Sequence, residues 1–566
     1  MSTRASKSSR VRRHAASALE AAAAGGVPTN PDEVRPGTRE ETFPVALGAV
    51  LLSLIALLTS YLHGYLLLYG DAVAHLGIAR RILDSRNPGL IQLGGVWLPL
   101  PHLLMLPFVQ KLEWWQNGLA GSWPSLICYI AGVAGLYRLA RHLLTLRWAI
   151  AATAFYALNP NLLYLATTAM TEPLFLALLI WTTLLTVECV AAIHASRYSV
   201  VARRLILIAV FILAAVYTRY DGWILGAAAW CVVTVALSRR REVWRRVAPS
   251  FTLFTLLVIA GPISWLAYNQ HFFHDPLDFI RGPYSAAAIE RKTTAPGAQH
   301  HIAWHSPFWA LVYYTRTAQV DAAFWETGFL VMAAAFGGLV IAIRRRLALP
   351  ALLLWMPLPF YIYSVAYGSV PIFIPQLWPH SYYNSRYGME MLPALALFAL
   401  LAVQWLEGRW SLSQPLAKRL MQPIILLLIA LNTVGMMYQT PLVLKEAMAN
   451  STTRVAFETA LGLQLRALPA GSTILMYNSD HVGALQYAGI PLRQTVNEGD
   501  YDSFHAALTA PAEHAAYVVA IAGDPVFTAV TAHPEGLTEM TILCSSGQPC
   551  ARIYHSDRSN PVPPKS

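Results

Sequence analysis

Uncharged, mostly apolar runs of roughly 20 residues, the length an α-helix needs to cross a hydrocarbon core of about 30 Å, recur along the chain from Leu47 to Leu444. With uncharged length and flanking Arg as boundaries, the pattern predicts eleven membrane-spanning helices, centred near Leu57, Tyr129, Tyr156, Trp181, Phe211, Gly226, Val258, Ala335, Leu358, Phe398 and Ile429. Between the first two, the segment GDAVAHLGIARRILD changes character. From Asp71 the residues Ala72, Leu76, Ala79 and Leu83 recur at helical spacing, with Arg80, Arg81 and Asp84 around the other side. This predicts an amphipathic helix in the membrane interface, followed by a Pro-broken interfacial or re-entrant piece in WLPLPHLLMLPF. Beyond Leu444 the strand-like runs STILMYN, AYVVAIA, MTILC and ARIYH are interspersed with helical stretches at Phe457 to Leu468, near Phe504 and near Val526. The predicted fold class is an α-helical polytopic membrane protein with about 11 transmembrane helices, interfacial helices in the first external loop and a small C-terminal α/β domain outside the membrane. Its expected divisions are a disordered basic tail at 1–43, a membrane domain at 44–444, and the α/β domain with a disordered end at 445–566.

Composition changes the picture only by exclusion. Of 566 residues, 56% are hydrophobic and 13% charged, against a charged share of about 25% in ordinary globular proteins. A disordered chain or an ordinary soluble enzyme does not fit. The net charge of +11 is explained by location rather than by a nucleic-acid partner. Arg and Lys concentrate in the tail and in alternate connections: Arg138, Arg141 and Arg147; Arg197, Arg203 and Arg204; Arg239 to Arg246; Arg344 to Arg346; Arg409, Lys418 and Arg419. The positive-inside rule therefore places the N-terminus in the cytoplasm and the C-terminal domain outside, in a plasma or inner membrane. The first apolar run lacks a small-residue cleavage site and is expected to remain as an anchor.

Cys128, Cys189 and Cys231 fall in apolar spans and read as packing residues. Cys544 and Cys550, in CSSGQPC, suit a small oxidised loop in an oxidising compartment, with no matching pair to make a metal site. His300, His301 and His305 are irregularly spaced in an Ala, Gly and Pro-containing loop and read as part of a mobile lid rather than a metal site.

Asp71, Glu172, Arg219, Asp221 and Arg386 all fall at the external ends of spans. Ionisable residues are expensive there, so a one-sided cluster reads as a functional site. Each also has a structural reading. Asp71 can be a helix N-cap, or a carboxylate that takes a proton from a substrate held at the lipid surface. His75, one turn on, can orient Asp71, bind a substrate hydroxyl or simply pack. Glu172 before Pro173 in MTEPLFLALLIW fits an N-cap followed by an N1 proline. Arg204 and Arg239 stand too close for two spans of about 20 residues each. The turn YTRYDGW, with Arg219 and Asp221, is therefore expected below the outer surface, as a salt-bridged turn or the polar floor of a cavity. NSRYGMEMLP supplies Arg386 and Tyr387, an interfacial anchor or a phosphate-binding fork.

At these residues the chain resembles the GT-C superfamily of membrane glycosyltransferases, especially the branch of protein O-mannosyltransferases and aminoarabinose transferases. The resemblance spans roughly Val45 to Leu444 and rests on Asp71 in GDAVAH, the interfacial helices after it, TEPLF, the RYDG turn and the late RY pair. It implies a sugar donor on a polyprenyl phosphate, used in an outward-facing cavity, with Asp71 as general base. Arg386, with Arg219, would stabilise the departing phosphate; Glu172 and Asp221 would bind sugar or acceptor hydroxyls or hold those Arg side chains. Many members carry two adjacent acidic residues where this chain has Asp71-Ala72, so no metal cofactor is expected. The acceptor, a hydroxyl or amine on glycan, lipid or protein, is open. Glycosyl transfer passes through an oxocarbenium-like state that needs a base on one face of the sugar and a stabilised leaving group on the other, and in-line attack inverts the anomeric centre. The competing class is a lipid-linked-sugar flippase or other transporter, for which mid-membrane residues and repeated halves would be expected; the chain shows a one-sided cluster and no repeat.

Overall fold

The computed structural model describes residues 34–293, 300–410 and 415–559. Most of the basic tail and the extreme C-terminal end lie outside the described residues. Among the described residues, ten helical segments are long and apolar enough to cross a membrane. The long helices that matter for the site are α1 (Arg39–Leu62), α2 (Gly70–Leu83), α3 (Leu100–Val109), α4 (Leu119–Ala140), α5 (Leu146–Ala157), α6 (Pro160–Leu165), α7 (Glu172–His194), α8 (Tyr198–Val216), α9 (Asp221–Ser238), α10 (Arg241–Phe273), α11 (Pro307–Ala322), α12 (Thr327–Arg345), α13 (Pro357–Tyr367), α14 (Leu392–Trp410), α15 (Pro415–Tyr438) and α16 (Leu442–Arg466).

Ten of the eleven expected centres lie in the spanning segments. The exception is the one near Tyr156, where the helix is broken into α5 and α6. The break is local chemistry. Pro160 has no N–H to continue the ladder, and the Asn159 side chain accepts from the N–H groups of Asn161 (3.0 Å) and Leu162 (3.2 Å), starting a new helix. The pair still carries the chain from one end of the bundle to the other. Arg138 at the end of α4 meets Glu188 near the end of α7 at 3.2 Å, whereas Glu172 at the start of α7 lies at the opposite end.

The first connection differs from a helix with one free polar side. Arg80 is buried: its Nε donates to Asp84 at 2.7 Å and its Nη1 to the Val109 carbonyl at 2.6 Å, while Leu83 is exposed. The cause is a cover supplied by the C-terminal part. Val482 packs against Gly77 of α2, Arg493 pairs with Asp84 at 3.0 Å, Gln92 donates to the Gly499 carbonyl at 2.8 Å, and Arg454 donates to the carbonyls of Leu67 and Leu68.

That part contains a five-stranded sheet in the order β2-β1-β3-β5-β4, with β1 Ile474–Met476, β2 Thr495–Val496, β3 Tyr517–Ile521, β4 Leu537–Leu543 and β5 Ala551–Ser556. β1 runs parallel to β2 and β3; β5 runs antiparallel to β3 and β4. The two-residue β2 is too short to leave a periodic signal in the sequence. Cys544 and Cys550 are joined in a disulfide just after β4. Cys189 is buried in the bundle, Cys128 half-buried, and Cys231 faces outward from α9. The helix expected at Phe457 is the far half of α16, which starts at Leu442 and runs through the boundary expected at Leu444.

Candidate active site

Four separate connections bring their polar residues to one place. Asp71 is the second residue of α2 and not its cap, a position held by Tyr69; Glu172 is the first residue of α7, behind Thr171. Arg219 and Asp221 flank the α8–α9 turn, where Gly222 is required because a Cβ would stand 2.2 Å from the Ala215 carbonyl oxygen. Arg386 lies in a 3-10 segment, Ser385–Met391, that leads into α14.

Arg386 is the hub. Its Nη2 donates to Asp71 Oδ2 at 2.5 Å, its Nε to Glu172 Oε1 at 3.1 Å and its Nη1 to Glu446 Oε1 at 3.2 Å. Arg219 is held as fully. Its Nη1 reaches Thr171 Oγ1 at 2.9 Å and Glu172 Oε1 at 3.3 Å, its Nε reaches Asp221 Oδ2 at 3.3 Å, and its Nη2 reaches the Tyr361 hydroxyl at 2.6 Å and Glu390 Oε1 at 3.1 Å. Glu172 thus bridges the two guanidinium groups, and the Tyr361 hydroxyl donates to Glu390 at 2.7 Å. Tyr387 lies between the cations, its ring centroid 4.9 Å from Arg386 Cζ and 5.1 Å from Arg219 Cζ.

Exposure divides these partners. The Glu172, Glu446 and Glu390 side chains are 1%, 2% and 0% exposed, whereas that of Asp71 is 42% exposed. Glu446 is further fixed by the backbone N–H groups of Asn384 (3.1 Å) and Ser385 (2.7 Å) and by the Ser385 hydroxyl. Asp71 is therefore the partner of Arg386 that faces outward and can be exchanged.

His75 does not join this network through a hydrogen bond. It is buried beside Trp97, with its Nδ1 2.8 Å from His102 Nε2. Burial pushes the His75 imidazolium down to about 4, and burial likewise lowers that of His102. Among the described lid residues, His300 stacks on Trp304 and lies 3.6 Å from Glu290, and the N–H of His305 donates to the Ala366 carbonyl. Among the described residues, no three His, Cys, Asp or Glu side chains are grouped as a metal's ligands.

Asp71, Glu172, Arg219, Asp221, Arg386 and Tyr387 were legible in the sequence; Glu390, Glu446, Tyr361 and Thr171 were not singled out. Glu390 stands in the same NSRYGMEMLP string as Arg386, where it interrupts the apolar start of a span, and that was the available signal; Glu446 follows Lys445 in the second turn of α16 and carries no such signal. Asp321, at the end of α11, is 1% exposed, and neither of its carboxyl oxygens has a hydrogen-bond partner among the described residues. Burial pushes its pKa well above the usual carboxylate range. Gly388 makes room for it, since a Cβ there would stand 2.5 Å from Asp321 Oδ2.

No family model matches the chain, and no curated protein does. Among solved structures, ArnT from Cupriavidus metallidurans bound to undecaprenyl phosphate superposes with a TM-score of 0.54 at 14% identity, covering 91% of this chain and 99% of that one. The same enzyme in the apo state gives 0.52 at 15% identity, covering 91% and 100%. The likeness is one of fold, and it extends over nearly the whole length of both chains.

Proposed function

We propose that this chain is an inverting glycosyltransferase that moves a sugar from a polyprenyl-phosphate donor to an acceptor hydroxyl or amine on the extracytoplasmic face of the membrane. The observation that carries the reading is the Arg386 hub, a guanidinium with all three nitrogens on carboxylates, of which one is exposed. A donor phosphate entering from the lipid competes for Nη2, and Asp71 is the partner that gives way, since Glu172 and Glu446 are buried and cross-braced. Release frees Oδ2 of Asp71, whose lone pairs are otherwise engaged by Arg386. Asp71 then takes the acceptor's proton as its oxygen or nitrogen attacks the anomeric carbon from the face opposite the phosphate. The bond from that carbon to the phosphate oxygen breaks, and the polyprenyl phosphate leaves with the electron pair. Arg386 and Arg219 supply fixed positive charge to the leaving group, without a metal in this account. Glu172, Asp221, Glu390 and Tyr361 hold the two guanidinium groups in place. The resemblance in fold to an enzyme whose structure holds undecaprenyl phosphate supports the donor class. We place the N-terminus in the cytoplasm and assign residues 44–444 as the catalytic membrane domain, with 445–566 covering α2.

The test uses vesicles in which a polyprenyl-phosphate sugar is confined to one leaflet. Transfer yields a new glycosidic bond of inverted configuration. Appearance of the intact donor in the other leaflet, with no new bond, would establish a transporter instead.

A further inference from the structure

The end of the bundle opposite the Asp71 cluster holds a second concentration of cations. There α1, α4, α7 and α8 diverge around a cavity of about 500 Å³, lined by Arg39, Arg138, Arg203 and Arg204 together with Phe43 and Trp181. Among the described residues, its lining contains no carboxylate. Glu188, behind it on α7, accepts from Arg138 at 3.2 Å and pairs with Arg204 at 2.6 Å, which fixes those two side chains. Arg39 and Arg203 are exposed and have no carboxylate partner among the described residues. Glu41, in the first turn of α1, is turned away onto Arg35, Arg141 and Tyr137.

The other wall is apolar and rigid. The Trp181 indole donates to the Ala131 carbonyl at 2.9 Å, and its ring lies against Phe211 and under Arg138. Trp181 is two turns up α7 from Glu188, about 10 Å toward the membrane interior. Phe43 at the mouth continues into the outward-facing row Leu47, Leu51 and Leu54 of α1. Cations thus meet an aromatic wall and an acyl-length apolar face at one opening, at the end that the positive-inside pattern assigns to the cytoplasm.

We propose that this cavity binds an anionic phospholipid of that leaflet, its phosphate between Arg39 and Arg203 and an acyl chain along Phe43, Trp181 and α1. A free phosphate would satisfy the cations and leave the apolar wall unused; basic pockets between membrane helices on this side suit anionic headgroups. The site lies away from the donor cluster and uses none of its residues.

Native mass spectrometry of the full chain, released from nanodiscs of mixed phosphatidylglycerol and phosphatidylcholine, tests this. The wild type should retain phosphatidylglycerol in preference to phosphatidylcholine. Replacing both Arg39→Gln and Arg203→Gln should lower that retention about 30-fold, from about 1 kcal/mol per cation near a membrane surface. Ala46→Trp narrows the cavity but keeps every Arg; it should weaken lipid retention as well, which separates occupancy of a site from general charge. Equal retention of both lipids by the wild type, or undiminished phosphatidylglycerol in either folded variant, would overturn the proposal. So would displacement of the lipid by inorganic phosphate at equal concentration, or preferential retention of polyprenyl phosphate.

Discussion

The two ends of this bundle handle positive charge in opposite ways. At the Asp71 end, two guanidinium groups that are 8% and 15% exposed are surrounded by five carboxylates, Asp71, Glu172, Asp221, Glu390 and Glu446. At the other end four Arg face a cavity with one glutamate behind them. The difference follows from burial. A cation removed from water must be paired, because its desolvation penalty is several kcal/mol, whereas a cation at headgroup level keeps water and can wait for a lipid. Pairing at the Asp71 end also produces geometry: a saturated Arg cannot swing, so its fork is already aimed for the proposed donor phosphate. The lesson is that charge count alone says little about a site; the ratio of charge to available partner distinguishes a preorganised centre from an open one.

The sharpest way to break this comparison is to remove the hub. Arg386→Gln leaves Glu172 and Glu446 buried without their shared cation, and should lower stability by about 3–5 kcal/mol and abolish transfer. Thermal unfolding in detergent measures the first and product formation the second. Arg386→Lys should recover part of the stability and little transfer, because a single ammonium cannot hold three carboxylates and a phosphate in a planar fork. Full activity in Arg386→Lys would mean that fork geometry is unimportant.

A smaller effect tests the same burial rule on groups kept neutral. His75, held near 4 in the folded protein, has an ordinary value near 6.5 when unfolded. The unfolded chain therefore binds the proton first, so this contribution to stability is present above about pH 6.5 and is lost as the pH falls toward 4. Melting temperature measured across that window should fall in the wild type and fall less in His75→Gln. The smallest effect is expected at Asp321. Burial pushes its carboxyl toward the neutral form, so Asp321→Asn should change stability by less than about 1 kcal/mol. A gain of several kcal/mol would show that a bare carboxylate is buried there.

The membrane helices were legible because apolar length is a strong signal; the crossing near Tyr156 is made by two helices instead of one because Asn159 and Pro160 interrupt it with a cap that periodicity does not register. The Asp71 cluster was legible in part. Asp71, Glu172, Arg219, Asp221 and Arg386 stand at span ends, where charge is conspicuous. Glu446 was hidden because it follows the boundary drawn at Leu444, and α16 runs straight through that boundary. The buried side of α2 was hidden for a related reason. Its cover, Val482 and Arg493, lies some 400 residues downstream, and no local pattern encodes it. Which charges pair is a property of the assembled bundle; that they are in the membrane at all is a property of the sequence.

The central claim is that Asp71, once a donor phosphate has taken its place on Arg386, is the base for transfer. The most direct measurement is single-turnover transfer by purified, reconstituted Asp71→Asn alongside donor binding by the same protein. The expected result is normal membrane insertion, donor bound at least as tightly as by the wild type because the competing carboxylate is gone, and transfer slowed at least about a hundredfold, the lower range for loss of a general base. Turnover equal to the wild type would contradict it.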